Sequence, residues 1–298
     1  MTIKNRSKIC LIISGAIILV ALLLTLFGRG INLGIDFEGG LSMQYDLKTP
    51  AVKGDTEAVL DSMNLSSYTV TVQGANENEV NIRIKDVNQD DIQNVQATFE
   101  TGLKEKYPDA ASIGDVNYVG PVAGATLVKN AIVSVLLAAV LMLIYIAIRF
   151  DFNSGLSAVF GLLHDVLMML SFMVIFRSFI QMNSSFIAAA LTIVGYSINN
   201  TIVIFDRIRE NNKKMPTIAK EEVANISIRE SLGRTICTTL TTLITIVALC
   251  ILGVASIREF ALPIIIGILS GVYSANMING YVWAYLEEKR ASRKAKKA

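Results

Sequence analysis

The chain has 298 residues, 52% of them hydrophobic and only 17% charged, which excludes an ordinary water-soluble domain of this length and points into a bilayer. The net charge of +2 hides a sorting by segment: residues 28–126 hold 15 Asp/Glu against 7 Lys/Arg, and the remainder holds 10 acids and 20 bases. Those bases lie beside hydrophobic stretches, where topology control and anionic lipid account for them, so nucleic acid is not an expected partner.

The first uncharged stretch, 9–27, follows Lys4, Arg6 and Lys8 in a short segment 1–8. It is longer than a usual signal-peptide core and no A-x-A site follows it, so it reads as an uncleaved first span. Residues 28–126 change character. An apolar run 41–47, a helical stretch 55–64, alternating runs 68–73 and 79–87, a helical stretch 89–106 and a run 113–119 give the order β-α-β-β-α-β. That order predicts a ferredoxin-like α+β domain, and about 100 residues suffice for a core of its own. Five more spans are expected within 127–286, at about 130–148, 154–176, 184–205, 235–257 and 260–283, each long enough to cross ~30 Å of hydrocarbon. A polar loop, 206–234, separates the fourth span from the fifth, and a basic tail occupies 287–298. Seventeen Lys/Arg fall on the side of the N-terminus, whereas only Lys129, Arg177 and Arg258 sit in the short connections opposite. The positive-inside rule therefore puts both termini in the cytoplasm and 28–126 outside.

Cys10, Cys237 and Cys250 all fall inside spans, at spacings that match no metal site or disulfide framework. Ionisable side chains within spans are rarer and more informative. His164-Asp165 lies about 15 Å into the third span, near mid-membrane, and either locks the bundle by hydrogen bonds or takes part in ion or proton passage. Asn199 and Asn200 come about 9 to 11 Å from the inner end of the fourth span; an amide can bridge helices or coordinate a cation but does not titrate. Arg234 opens the fifth span and either snorkels to lipid phosphate or turns inward to these polar groups. Thr235, Thr238, Thr242 and Thr245 share one face of that span, and the sixth carries Gly267-x-x-x-Gly271 followed by Ser274, Asn276 and Asn279, a pattern for close helix approach. There is no phosphate-cradling loop and no nucleophile elbow, and a single histidine excludes multi-His metal chemistry. An enzyme is not expected; His164 and Asp165 as an acid–base pair would point about 100° apart on a helix.

Several segments resemble the SecD/SecF family of protein-export membrane proteins, a branch of the RND superfamily. Gly34-Ile-Asp-Phe-Glu-Gly-Gly40, with Asp36, Gly39 and Gly40, looks like the family's glycine signature. Arg149-Phe-Asp151, Leu163-His-Asp-Val166, Tyr196 in Gly195-Tyr-Ser-Ile-Asn-Asn200, Asp206, Arg207 and Arg209 in Phe205-Asp-Arg-Ile-Arg-Glu-Asn211, and Arg234-Thr-x-x-Thr-Thr-Leu240 are similar to family segments in the same order. Tyr-Ser-Ile-Asn favours the SecF branch. The resemblance implies an RND-type half-transporter: a non-enzymatic plasma-membrane subunit without cofactor, pairing with SecD and the SecYEG channel. It would use a proton or sodium gradient to help move preproteins. One position departs from the pattern, because Asn200 stands where the family usually has an acidic residue associated with proton passage near the arginine matched by Arg234. The titrating group would then come from SecD, from Asp165, or be missing in this half. The alternative is a stand-alone RND-like exporter of lipids or small molecules.

Overall fold

The computed structural model describes residues 3–295 apart from Ser66, Ala75, Asp86, Gly114, Phe179 and Val254; Lys296 and Lys297 of the expected basic tail lie outside the described residues. The chain divides into two compact units, Leu33–Ile132 and Met1–Asn32 with Val133–Ala298.

The smaller unit opens with a one-turn helix, α2 (Ile35–Glu38), preceded in the chain by the first span α1 (Ile3–Leu26). It continues through β1 (Gly40–Asp46), α3 (Lys53–Ser62), β2 (Tyr68–Gln73), β3 (Glu79–Ile84), α4 (Ile92–Lys106), β4 (Ala111–Ser112) and β5 (Asn117–Val119). The strands form an antiparallel sheet in the order β2-β3-β1-β4, with β5 also pairing β1. Registers Leu41↔Ile84, Met43↔Ile82, Tyr45↔Val80 and Val70↔Ile82 bring alternate apolar residues to one face. There they are buried with Val59 and Leu60 of α3 and Phe99 and Leu103 of α4. Of the expected run 113–119 only Asn117–Val119 is strand, and β4 at Ala111–Ser112 precedes it. Between Tyr45↔Ser112 and Ser42↔Asn117 the later segment carries two more residues than β1, so pairing breaks and resumes.

Gly39 and Gly40 set the entry to this sheet, with φ of +80° and +121°. A Cβ on Gly40 would stand 2.5 Å from the Ile84 carbonyl oxygen across the ladder, so only glycine fits there.

In the larger unit, long helices follow from long apolar runs: α5 (Pro121–Arg149), α6 (Phe152–Ile175), α7 (Ser184–Lys214), α8 (Lys220–Leu252), α9 (Ala255–Ser274) and α10 (Gly280–Ala295). A π turn, Ala275–Asn279, joins the last two into one span. Six segments among the described residues are long and apolar enough to cross a membrane. Helix α5 starts at Pro121, inside the stretch assigned from sequence to the outer domain; a proline suits a first helical position because its missing N–H has no partner there.

The expected polar loop 206–234 is mostly helix, with only residues 215–219 between α7 and α8. The charged residues that suggested a loop are spaced as helix pairs: Arg207–Glu210 at 2.6 Å and Lys214–Glu210 at 2.6 Å. Arg207 also binds Glu230 at 2.7 Å, and Asn211 donates to Ser227 at 3.0 Å, tying the two helical extensions together. Their apolar sides, Phe205, Ile208, Val223, Ala224 and Ile228, join a core with Ile146, Leu162, Ile198 and Trp283.

Candidate functional site

Small residues decide where the buried polar groups can meet. Asp151 caps α6, accepting from the Ser154 N–H at 3.3 Å and its hydroxyl at 2.7 Å, which fixes where the helix starts. About 20 Å further along comes Asp165. On the same helix a Cβ on Gly161 would run into the Asn279 amide, so α6 lies close to the π turn. On α9, a Cβ on Gly267 would collide with Ile193 and one on Gly271 would stand 3.3 Å from Ser197, so α9 and α7 are also in close approach. The glycine spacing read from the sequence thus acts on α7.

Asp165 sits at the meeting point of these helices and is 0% exposed. Its Oδ1 accepts from Ser270 Oγ at 2.8 Å and pairs with His164 Nδ1 at 2.9 Å. Its Oδ2 accepts from Ser197 Oγ at 2.5 Å and Ser274 Oγ at 2.8 Å. The other face of His164 reaches Ser14 of α1, with Nε2 to Oγ at 2.8 Å, and its ring stacks on Tyr273 at 5.9 Å between centroids. Tyr273 donates to the Cys10 carbonyl at 2.6 Å, which closes the network on the first span. With Nδ1 carrying a proton toward the carboxylate, Nε2 of a neutral ring accepts the Ser14 hydroxyl; a doubly protonated ring donates at both nitrogens.

Chemically, the arrangement can hold either state of Asp165 without moving a backbone. As a carboxylate it accepts all four donors. As an acid it becomes a donor itself, and one serine hydroxyl turns about its Cβ–Oγ bond to accept. Among the described residues Asp165 is the one buried carboxylate.

A second polar cluster lies one turn further along α7. Asn279 Nδ2 donates to Thr201 Oγ1 at 3.0 Å, Thr201 Oγ1 to the Ser197 carbonyl at 3.1 Å, and Ser157 Oγ to the Asn279 carbonyl at 2.6 Å. Asn200 is 1% exposed, and among the described residues its Nδ2 has no partner; neither has Asn279 Oδ1. Thr235 Oγ1 reaches Asn276 Oδ1 at 3.4 Å.

The structure separates residues that the sequence had grouped. His164, Asp165 and Asn200 are buried, but Asn199 and Arg234 are exposed and do not join the cluster within this chain. Helix phase explains both: Asn199 and Arg234 each adjoin a buried residue, Asn200 and Thr235, about 100° round the axis. Thr238, Thr242 and Thr245 donate to carbonyls one turn back on their own helix. Of the family-motif residues, Gly34 precedes α2 and Asp36 lies within it. Arg149 binds Asp206 at 3.1 Å, Tyr196 donates to Thr239 Oγ1 at 3.2 Å, and Arg209 is exposed. Ser14, Ser270 and Tyr273 were not singled out from sequence; the signal available was a serine pair four residues apart beside the glycines of the last span.

The fold and site define a multi-pass membrane protein whose helical bundle is organised about a buried, hydroxyl-lined carboxylate. Comparison with known proteins carries this further. The family described as "Protein export membrane protein SecD/SecF, C-terminal" matches residues 98–289, and the SecD/SecF GG motif matches residues 25–51. The protein translocase subunit SecF of Calditerrivibrio nitroreducens is 36% identical over 274 residues, 91% of this chain and 89% of that one. SecDF of Bacillus subtilis is 34% identical over 94% of this chain, which spans 37% of its length. The crystal structure of SecDF from Thermus thermophilus superposes with a TM-score of 0.80 at 30% identity, over 95% of this chain and 38% of that one. The chain belongs to the SecD/SecF family of protein export membrane proteins. Within it, the full-length likeness is to SecF, whereas SecDF is more than twice as long.

Proposed function

We propose that the chain is an accessory, non-enzymatic subunit of a bacterial Sec preprotein translocase, pairing with SecD at the SecYEG channel and driven by a proton or sodium gradient. The observation that carries the ion-coupled part is Asp165, a fully buried carboxylate whose hydroxyl partners accommodate gain or loss of a proton. Asn200 cannot titrate, so in this half the role falls to Asp165, with further groups supplied by the partner.

Two features support a SecD-like second half. SecDF relatives join more sequence in one chain than this one holds, and Asn199 and Arg234 are exposed on helices of the bundle, where a charged or amide group calls for a protein neighbour. The distribution of Lys and Arg supports cytoplasmic termini and an outer domain at 28–126. The sheet order β2-β3-β1-β4 with α3 and α4 on one face supports reading that domain as ferredoxin-like.

Affinity purification from native membranes through a tag on the chain's basic tail, with mass spectrometry of what accompanies it, tests the reading. Stoichiometric recovery of a second six-span protein bearing a Gly-Ile-Asp-Phe loop, with channel subunits, is expected. Recovery of the chain alone or as a homodimer in several detergents would favour the stand-alone exporter.

A further inference from the structure

Two of the family-motif arginines, Arg149 and Arg209, take no part in the network around Asp165 and meet elsewhere. A cavity of about 470 Å³ opens between the ends of α5, α6, α7 and α10, lined by Arg149, Asp151, Arg209, Trp283, Glu287 and Arg290. Its acids are engaged: Asp151 caps α6, and Glu287 accepts from Asn153 at 2.5 Å with Arg290 at 3.7 Å. Arg149 shares Asp206 at 3.1 Å and lies 5.3 Å from the Phe150 ring centroid. Among the described residues Arg209 has only the Arg149 carbonyl, at the long distance of 3.5 Å. Of the three guanidiniums facing the cavity, Arg149 is paired with Asp206 and Arg290 with Glu287, and Arg209 is, among the described residues, the cation with donors to spare.

The depth of the cavity selects the anion. Ile148 and Phe152, on either side of the Arg149-Phe150-Asp151 turn, are 82% and 79% exposed. Large apolar side chains so exposed at the ends of two spans mark the boundary of the hydrocarbon, and Arg149 is the first polar residue beyond it. An anion at that level, between basic side chains and beside a tryptophan, is a lipid phosphate.

We propose that this cavity binds the phosphate headgroup of an anionic phospholipid, held by Arg209 and Arg290 with Arg149 at its edge. The inference rests on the span assignment and not on the export reading, so either can fail without the other. Trp283 is the chain's only tryptophan, so fluorescence excited on the red edge of tryptophan absorption, where tyrosine does not absorb, reports on the cavity wall. The full chain in a neutral detergent is titrated with short-chain phosphatidylglycerol, short-chain phosphatidylcholine, inorganic phosphate and a short acidic peptide, and native mass spectrometry counts retained lipids.

A saturable change with phosphatidylglycerol is expected, weakened about tenfold or more in Arg209→Gln and in Arg290→Gln, and unchanged in Arg229→Gln, whose arginine lies outside the cavity. Native mass spectra should show phosphatidylglycerol retained by the unmodified chain and lost from Arg209→Gln. Equal responses to phosphatidylcholine, or an undiminished response in Arg209→Gln, would overturn the site. A response to inorganic phosphate as strong as to the lipid would overturn the lipid assignment in favour of a free-phosphate site, and a response to a short acidic peptide alone would assign the cavity to a protein partner.

Discussion

Replacing Asp165 by asparagine isolates charge from shape. In the structure Oδ1 faces His164 and Ser270, and Oδ2 faces Ser197 and Ser274. An asparagine whose oxygen takes the Oδ1 place keeps the first two contacts. Its amide nitrogen carries two hydrogens, and Ser197 and Ser274 can each turn to accept one. All four contacts survive as neutral hydrogen bonds, losing roughly 1 kcal/mol each of charge assistance. No buried charge then has to be desolvated, so the net cost is within about 2 kcal/mol. Asp165→Leu differs: three serine hydroxyls and an imidazole nitrogen lose their partner in a closed core, at about 1–3 kcal/mol for each. Asp165→Asn is therefore expected to accumulate and unfold in detergent much as the unmodified chain does, while Asp165→Leu is depleted. In membrane vesicles with an imposed proton or sodium gradient, preprotein translocation supported by Asp165→Asn should lose its dependence on that gradient and keep any gradient-independent component. If Asp165→Asn supports translocation with an unchanged gradient dependence, the carboxylate is a bundle lock and carries no coupling ion.

Three further outcomes follow from the same geometry. Asn200→Asp restores an acid at a buried amide whose nitrogen has no partner, and translocation should depend more steeply on the proton gradient; an unaltered slope would show that this half lacks the geometry to use an acid there. Gly40→Ala forces a Cβ against the Ile84 carbonyl at a φ of +121°, and a loss of about 1–3 kcal/mol should appear as faster hydrogen exchange at the β1–β3 amides. In the outer domain, hydrogen bonds from Lys48 and Lys106 hold the carboxyls of Asp46 and Asp55 below the usual range. A depressed folded-state value stabilises the domain above the unfolded-state value near 4, and that stability drains as pH falls through the folded-state value. Protection of the α3 and α4 amides, expressed relative to their intrinsic exchange rates at each pH, should fall in acid, and Asp55→Asn should flatten that pH dependence while loosening the domain at neutral pH.

Periodicity reaches as far as a side chain's own element. The run 68–73 coincides with β2, and the alternation in 79–87 contains β3, because one buried face imposes a period of two on each strand. The spans are legible because hydrocarbon admits few charges. Where polar residues re-entered, at 206–234, the sequence suggested a loop, although Arg207, Glu210 and Lys214 carry the i,i+3 and i,i+4 spacing of an exposed helix. At the site, His164 and Asp165 stood out because ionisable groups are costly in a span. Their partners Ser14 and Ser270 did not, since a serine in an apolar helix is common and only tertiary packing brings it within 3 Å of a given acid. Depth relates Asn199 to Asp165, and an inward turn would bring Arg234 from the end of its span toward the same groups, but neither consideration fixes azimuth; a single residue of helical phase turns each outward.

The π turn at Ala275–Asn279 acts like a dislocation in a crystal. One surplus residue in a turn offsets everything beyond it by about 100° relative to what precedes it. Ser270 and Ser274 obey one lattice and face Asp165; Asn279 and Trp283 obey another, facing α6 and the arginine-lined cavity. Both lattices are helical, so neither half betrays the fault. Excising one residue from 275–279 would heal it into an ordinary helix, and the healed span could satisfy only one set of neighbours, the carboxylate near its middle or the cavity at its end.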